Sequence, residues 1–279
     1  MKQSSHSPTV VPDYRSGAAA RFVESLLARG QVTFTLAELM YQTGLSSVAA
    51  RNQLLRLGAQ IQRVTPRQPF YLIVSPEHRA IGAPPPAWWL DAYFRWLQRP
   101  YYLALQSAAA EYGSTAQAIQ VTQVLTNAPH RDIVLGRLRV QFFVKRDVAA
   151  TPTRMLSQAQ APLIVSTPEA TALDLIGYAS RLGGIERAIE TIVPMLPHFK
   201  RAHLIEALQA GVETTCAQRL GFILEQAGAV ELANVVEKHL GGRSHRIALD
   251  PGYPSSPGAV SHYSERWKVM ANTSMVILT

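Results

Sequence analysis

Along the first quarter of the chain the apolar positions change period from block to block, and each change marks an element. In residues 17–29, Phe22, Leu26 and Leu27 recur at helical spacing and Gly30 follows as a stop, which predicts a first helix. Val32, Thr33 and Phe34 form a short β-prone run. Thr35 then stands as the capping residue of a second helix over 36–42, with Leu36, Leu39 and Met40 on one face. A tight turn at Thr43, Gly44 and Leu45 leads to Ser46, the cap of a third helix that runs to about Leu57 with Ala50, Leu54 and Leu57 inward. Two β-prone runs, 61–64 and 70–74, flank Thr-Pro-Arg-Gln-Pro and predict a hairpin with a looped tip.

Helix, strand, helix, tight turn, capped helix and basic hairpin in that order is the plan of a winged helix-turn-helix. In such a unit the second helix of the pair stands out from the body and fits the major groove of a DNA duplex. The inward stripe of the third helix leaves Ser47, Val48, Ala49, Arg51, Asn52 and Arg56 outward. Arg51 and Asn52 carry the chemistry that reads guanine and adenine edges. Ser46 and Ser47 sit at a helix start suited to a phosphate, and Arg63 and Arg67 would place positive charge on the wing. The third helix holds two arginines and no acid, whereas a helix that merely faces solvent usually mixes signs. The DNA-binding set expected is therefore Ser46, Ser47, Arg51, Asn52, Arg56, Arg63 and Arg67.

Beyond this block the pattern loosens. Residues 76–87 hold four prolines and a glycine and are expected to form an extended, semi-rigid linker. Residues 88–97 and 101–112 read as helices interrupted at Pro100; 119–126 and 132–146 read as β structure turning at Gly136. Helices dominate from Thr167 to about Leu240, then a Gly/Pro/Ser-rich loop spans 241–260, and β-prone runs follow at 267–270 and 275–278. The expected organisation is a disordered tail (1–16), the winged helix-turn-helix (17–75), the linker (76–87) and a larger mixed α/β domain (88–279), an α+β chain. Trp88, Trp89, Tyr101 and Tyr102 lie beside Leu90, Phe94, Leu97 and Leu103 and are read as core, not as a stacking platform for single strands.

Composition narrows the chemistry. The 279 residues carry a formal charge of +8, which favours a polyanionic partner. A single cysteine, Cys216, excludes an internal disulfide and a cysteine-based zinc cluster and suits a reducing compartment. The polar, proline-bearing start has no signal-peptide core, and no apolar run is long enough to span a bilayer; a cytoplasmic protein with no membrane partner is expected. The histidines are scattered without H-x-x-x-H spacing, so no metal or cofactor is expected. Ser166, Thr167, Pro168 and Glu169 read as a capping box rather than a catalytic carboxylate site, and Glu169 and Asp174, five apart, do not share a helix face well. No enzyme and no catalytic residue is expected.

Five runs in the second half resemble the AbiEi family of antitoxins from type IV toxin–antitoxin systems. They are Tyr-Tyr-Leu-Ala-Leu-Gln-Ser-Ala-Ala at 101–109, Gln-Val-Leu-Thr at 123–126, Ser-Thr-Pro-Glu at 166–169 with Leu-Asp-Leu at 173–175, Arg-Leu-Gly-Phe-Ile-Leu-Glu at 219–225 and Arg-Trp-Lys-Val-Met-Ala-Asn at 266–272. The resemblance extends over 17–279; the long loop at 241–260 departs from it. It implies a bacterial antitoxin whose winged helix binds inverted repeats in its own promoter as a cooperative monomer and represses the operon. Its C-terminal domain, mixed α/β with a basic surface, would counteract a nucleotidyltransferase-type toxin without a stable complex. Two other classes stay open on the residues alone: a ligand-responsive regulator with no toxin partner, and a metal-dependent nuclease built on Glu169, Asp174 and Lys145.

Overall fold

The computed structural model describes residues 17–114, 121–157, 161–252 and 262–272. The tail 1–16, part of the 241–260 loop and the run 275–278 lie outside these residues. The chain divides into two compact units, one ending at Pro85 and taking in Leu135–Arg137, the other starting at Pro86. It is an α+β fold: a mainly helical first unit and a larger second unit of helices and sheet.

In the first unit α1 (Ala18–Leu27) is followed by β1 (Thr33–Thr35), α2 (Leu36–Thr43), α3 (Ser47–Leu57), β2 (Ile61–Arg63) and β3 (Phe70–Ile73). The three strands form one antiparallel sheet with β3 central, so β1 closes the hairpin onto the helices. Phe34 of β1 stacks on Tyr71 of β3 at 5.2 Å and meets Phe22 of α1 edge-on at 5.4 Å. Thr35 and Glu38 form a complete capping box: the Glu38 N–H donates to Thr35 Oγ1 at 3.1 Å, and the Thr35 N–H donates to the Glu38 carboxylate at 2.6 Å. One expected core residue is not inside. Leu27 is exposed, because Val23 rather than Leu27 completes the stripe of Ala19, Phe22 and Leu26. The proline-rich stretch is also not an extended spacer. It makes two 3-10 turns, Pro76–His78 and Pro86–Trp88, and buries His78 and Ala83. Proline's fixed φ suits the first position of a helical turn as well as an extended chain, so composition does not separate the two.

The second unit opens with α4 (Leu90–Leu97) and β4 (Tyr101–Leu103), then α5 (Leu105–Ala110), β5 (Val121–Thr126), β6 (Ile133–Leu135), β7 (Leu138–Val144), β8 (Thr153–Ser157) and β9 (Pro162–Ser166). Its sheet runs β6-β7-β5-β4-β9-β8, with β5/β7 and β4/β9 parallel and β4/β5 and β8/β9 antiparallel. The helix expected over 101–112 is therefore half strand. Tyr101, Tyr102 and Leu103 are buried between β5 and β9, and a continuous apolar run reads equally as a buried strand or a buried helix. Leu105, at φ 56, turns the chain sharply from β4 into α5. β8 and β9 have no counterpart among the expected elements. Trp89, Tyr101 and Tyr102 are buried, as expected of core; Trp88 is half-buried.

Five helices follow: α6 (Pro168–Gly177), α7 (Ile185–Ile192), α8 (Arg201–Gln209), α9 (Thr214–Gln226) and α10 (Val230–Leu240). α6 is buried along almost its whole length and joins the sheet side chains to the other helices in one core. Its cap is Thr167, whose hydroxyl accepts from the Ala170 N–H, not Ser166 in a capping box. Ser166 pairs instead with the Thr171 hydroxyl at 2.7 Å, and Glu169 turns away to accept the Lys200 N–H.

A small sheet of β10 (Ile247–Ala248), β11 (His262–Ser264) and β12 (Val269–Ala271), with β12 central, is stitched to α9. Trp267 lies over Gly221 of α9, where an added Cβ would come within 2.1 Å of the indole ring. The indole N–H donates to Glu225 at 2.8 Å, Arg266 pairs with Glu225 and Glu237, and Gln218 donates to the Trp267 carbonyl at 2.7 Å. Gly221→Ala should accordingly cost about 1–3 kcal/mol through overpacking. Urea denaturation measures it; a stability unchanged within about 0.5 kcal/mol, the scale of neutral surface substitutions, would contradict this packing.

Candidate nucleic-acid interface

α3 is held by very little apolar surface. Ala50 and Leu54 are buried, Leu57 is half-buried, and Gln53 reaches across so that its side-chain oxygen accepts the Ala19 N–H of α1 at 2.8 Å. Gly44 sits in the left-handed region at φ 67 and caps α2, where a side chain would be strained. Leu45 is buried after it, and Ser46 caps α3 by accepting the Ala49 N–H at 3.3 Å. This inward set turns Arg51, Asn52 and Arg56 to solvent together.

The remaining expected positions divide. Ser46 is exposed, but its hydroxyl oxygen is engaged by the cap; Ser47 is half-buried, and Ala49 packs partly against the core instead of facing out. Arg63 is exposed but turned onto its own hairpin. It donates to the Pro66 carbonyl at 2.7 Å and to the Tyr71 hydroxyl at 3.0 Å, with its guanidinium 5.3 Å from the Tyr71 ring centre. It braces the loop between β2 and β3, and Arg67 stands exposed in that loop. Among the described residues no ion pair engages Arg51, Arg56 or Arg67. The sequence holds no acidic residue between Glu38 and Glu77, so the face is positive without local compensation.

One outward residue escaped the sequence reading. Leu55 is 79% exposed and lies on the same line as Val48, which is 70% exposed. At about 100° per residue, positions seven and four beyond Val48 and Arg51 return to one face, so the signal was present in the helical wheel.

The carboxylates of the nuclease alternative are not gathered. Asp174 of α6 is buried and accepts from Lys145 Nζ at 2.8 Å and from the Tyr102 hydroxyl at 2.8 Å, whereas Glu169 bonds the Lys200 backbone. Burial pushes the Asp174 carboxyl up, and the Lys145 ammonium and the Tyr102 hydroxyl oppose that push. The pair floors an open pocket of about 500 Å³ that also reaches Arg146, Asp147, Tyr178, Glu213 and Cys216. Burial pushes the Cys216 thiol up to about 11, the opposite of an activated nucleophile. Among the described residues no group of three or more His, Cys, Asp or Glu side chains is placed to hold a metal ion, and no helix is long and apolar enough to cross a membrane.

Lys145→Met should remove about 3 kcal/mol of stability at neutral pH, because it leaves a buried carboxylate without its partner. A carboxyl raised in the folded state binds its proton more tightly there than in the unfolded chain. The deficit should therefore shrink as pH falls through the raised pKa towards the unfolded value. Denaturation curves of both proteins across acidic pH test this; a deficit independent of pH would contradict it.

Residues 102–226 match the AbiEi antitoxin C-terminal domain family. That span contains β4 from Tyr102 through α9, and with it nearly all of the family-like runs; the run 266–272 lies beyond it. The fold is similar to the crystal structure of RV2827C protein from Mycobacterium tuberculosis, with a TM-score of 0.63 and 16% identity over 91% of this chain and 90% of that one. No curated protein matches the sequence.

Proposed function

We propose that the chain, whose residues 102–226 match the AbiEi antitoxin C-terminal domain family, is the antitoxin and autoregulator of a type IV toxin–antitoxin system. Its first unit is a winged helix-turn-helix that docks α3 into the major groove of operator repeats in its own promoter, with the β2–β3 loop against the neighbouring backbone. The second unit counteracts a nucleotidyltransferase-type toxin without a stable complex, and the protein works in the cytoplasm. It needs no cofactor and catalyses no reaction. The observation that carries the reading is the exposed face of Arg51, Asn52 and Arg56 on a helix with no acid, held by so narrow an apolar stripe that the rest is left for a partner. A duplex supplies what that face lacks: groove acceptors for the guanidinium and amide groups, and phosphates for the surrounding charge.

The pocket above Lys145 and Asp174 favours a second reading, a regulator whose second unit binds a small ligand and has no toxin partner. The neighbouring reading frame separates the two: a nucleotidyltransferase there supports the antitoxin. Its absence, with growth of toxin-expressing cells not rescued by this chain, supports the ligand-responsive regulator.

For DNA binding, Arg51→Ala and Arg56→Ala should each weaken operator affinity by about 1–3 kcal/mol in a band-shift titration, with thermal unfolding unchanged. Arg67→Ala should act uniformly on all sequences and reduce the slope of log K against log salt by about 0.9. Binding unaffected by both helix substitutions would overturn the docking geometry.

A further inference from the structure

Val48 and Leu55 stand in water on the same side of α3 as the arginines, at 70% and 79% exposure. Nothing within the fold accounts for them there. Valine forms helix less well than alanine, so an exposed Val48 one residue into α3 does not serve helix stability, and Leu55 buries almost nothing. Single exposed aliphatics need no explanation in general. These two lie in line with Arg51 and Asn52, on the strip that the proposed docking would press into the groove.

We infer that Val48 and Leu55 determine sequence specificity by packing on the C5 methyl groups of thymines in the major groove. The inference rests on the DNA-binding reading and adds the identity of the bases. The thymine methyl is the apolar group that a base pair presents in that groove, so it matches an aliphatic side chain where the arginines and the amide match acceptors. Charge selects a duplex over a second copy of this face: Arg51 and Arg56 flank the two aliphatics, no acid occurs between Glu38 and Glu77, and two such faces would repel. A helix docked in the major groove passes about one base pair per three to four residues. The seven residues from Val48 to Leu55 should therefore place the two methyl contacts roughly two base pairs apart.

The test starts by selecting duplexes from a randomised library with the full-length chain, then replaces each thymine of the selected site by uracil, which removes only the methyl. Wild type should bind about four-fold more weakly when either of two such thymines is replaced, the scale of burying one methylene-sized group. Val48→Ala should bind thymine and uracil equally at one position and Leu55→Ala at the other, with melting curves unchanged. Uracil tolerated at every position, while Arg51→Ala still weakens binding, would overturn this inference and leave the DNA reading standing. Selection of no duplex would overturn both. A shift from dimer to monomer on sedimentation of Val48→Ala or Leu55→Ala, with no uracil effect, would assign the strip to contact between copies instead and overturn the inference.

Discussion

A helix of eleven residues that buries only two of them fully has most of its circumference left over, and this constraint organises the first unit. Ala50 and Leu54 give α3 a narrow apolar line, and Gln53 adds a hydrogen bond to the start of α1. Once that line faces α1 and α2, helical geometry leaves no freedom in where Arg51, Asn52 and Arg56 point. The left-handed turn at Gly44 and the Ser46 cap fix where the helix begins, and the sheet of β1, β3 and β2 closes the other side of the small core. The positive outward face is thus a consequence of how little of the helix is needed for folding.

The second unit shows the opposite economy. Polar side chains there are largely engaged in holding the fold. Asp174 is spent on Lys145 and Tyr102, Glu169 on the Lys200 backbone, and Glu225 on Arg266 and the Trp267 indole. A carboxylate satisfied by a cation and a hydroxyl is a structural anchor with few lone pairs to offer elsewhere. The pocket beside Lys145 is open, but its walls mix both charges and its thiol is held protonated by burial.

The first unit was legible from the sequence because its signals are local. Caps, glycine stops and three-to-four-residue apolar spacing specify α1, α2 and α3 within a few residues each, and the capping Thr35 stands directly before the helix it starts. What stayed hidden depends on partners distant in the chain. Tyr101 to Leu103 becomes a strand only because β5 and β9 lie on either side of it, and the pairing of Lys145 with Asp174 joins residues 29 apart. Gly221 and Trp267 sit in two separate family-like runs, and only the fold shows that one is the seat of the other. Arg63 was read by its charge alone; the acceptors at Pro66 and Tyr71 that turn it inward are set by the hairpin's geometry. Leu55 was missed for a different reason, since leucine is expected inside and its exposure breaks that habit.

The central claim is that α3 enters the major groove, and methylation interference on an operator duplex tests it most directly. Methyl groups at guanine N7 obstruct the major groove, whereas those at adenine N3 obstruct the minor groove. The account predicts loss of binding from N7 methylation at guanines beneath α3. Interference confined to adenine N3, or absent from both, would contradict it.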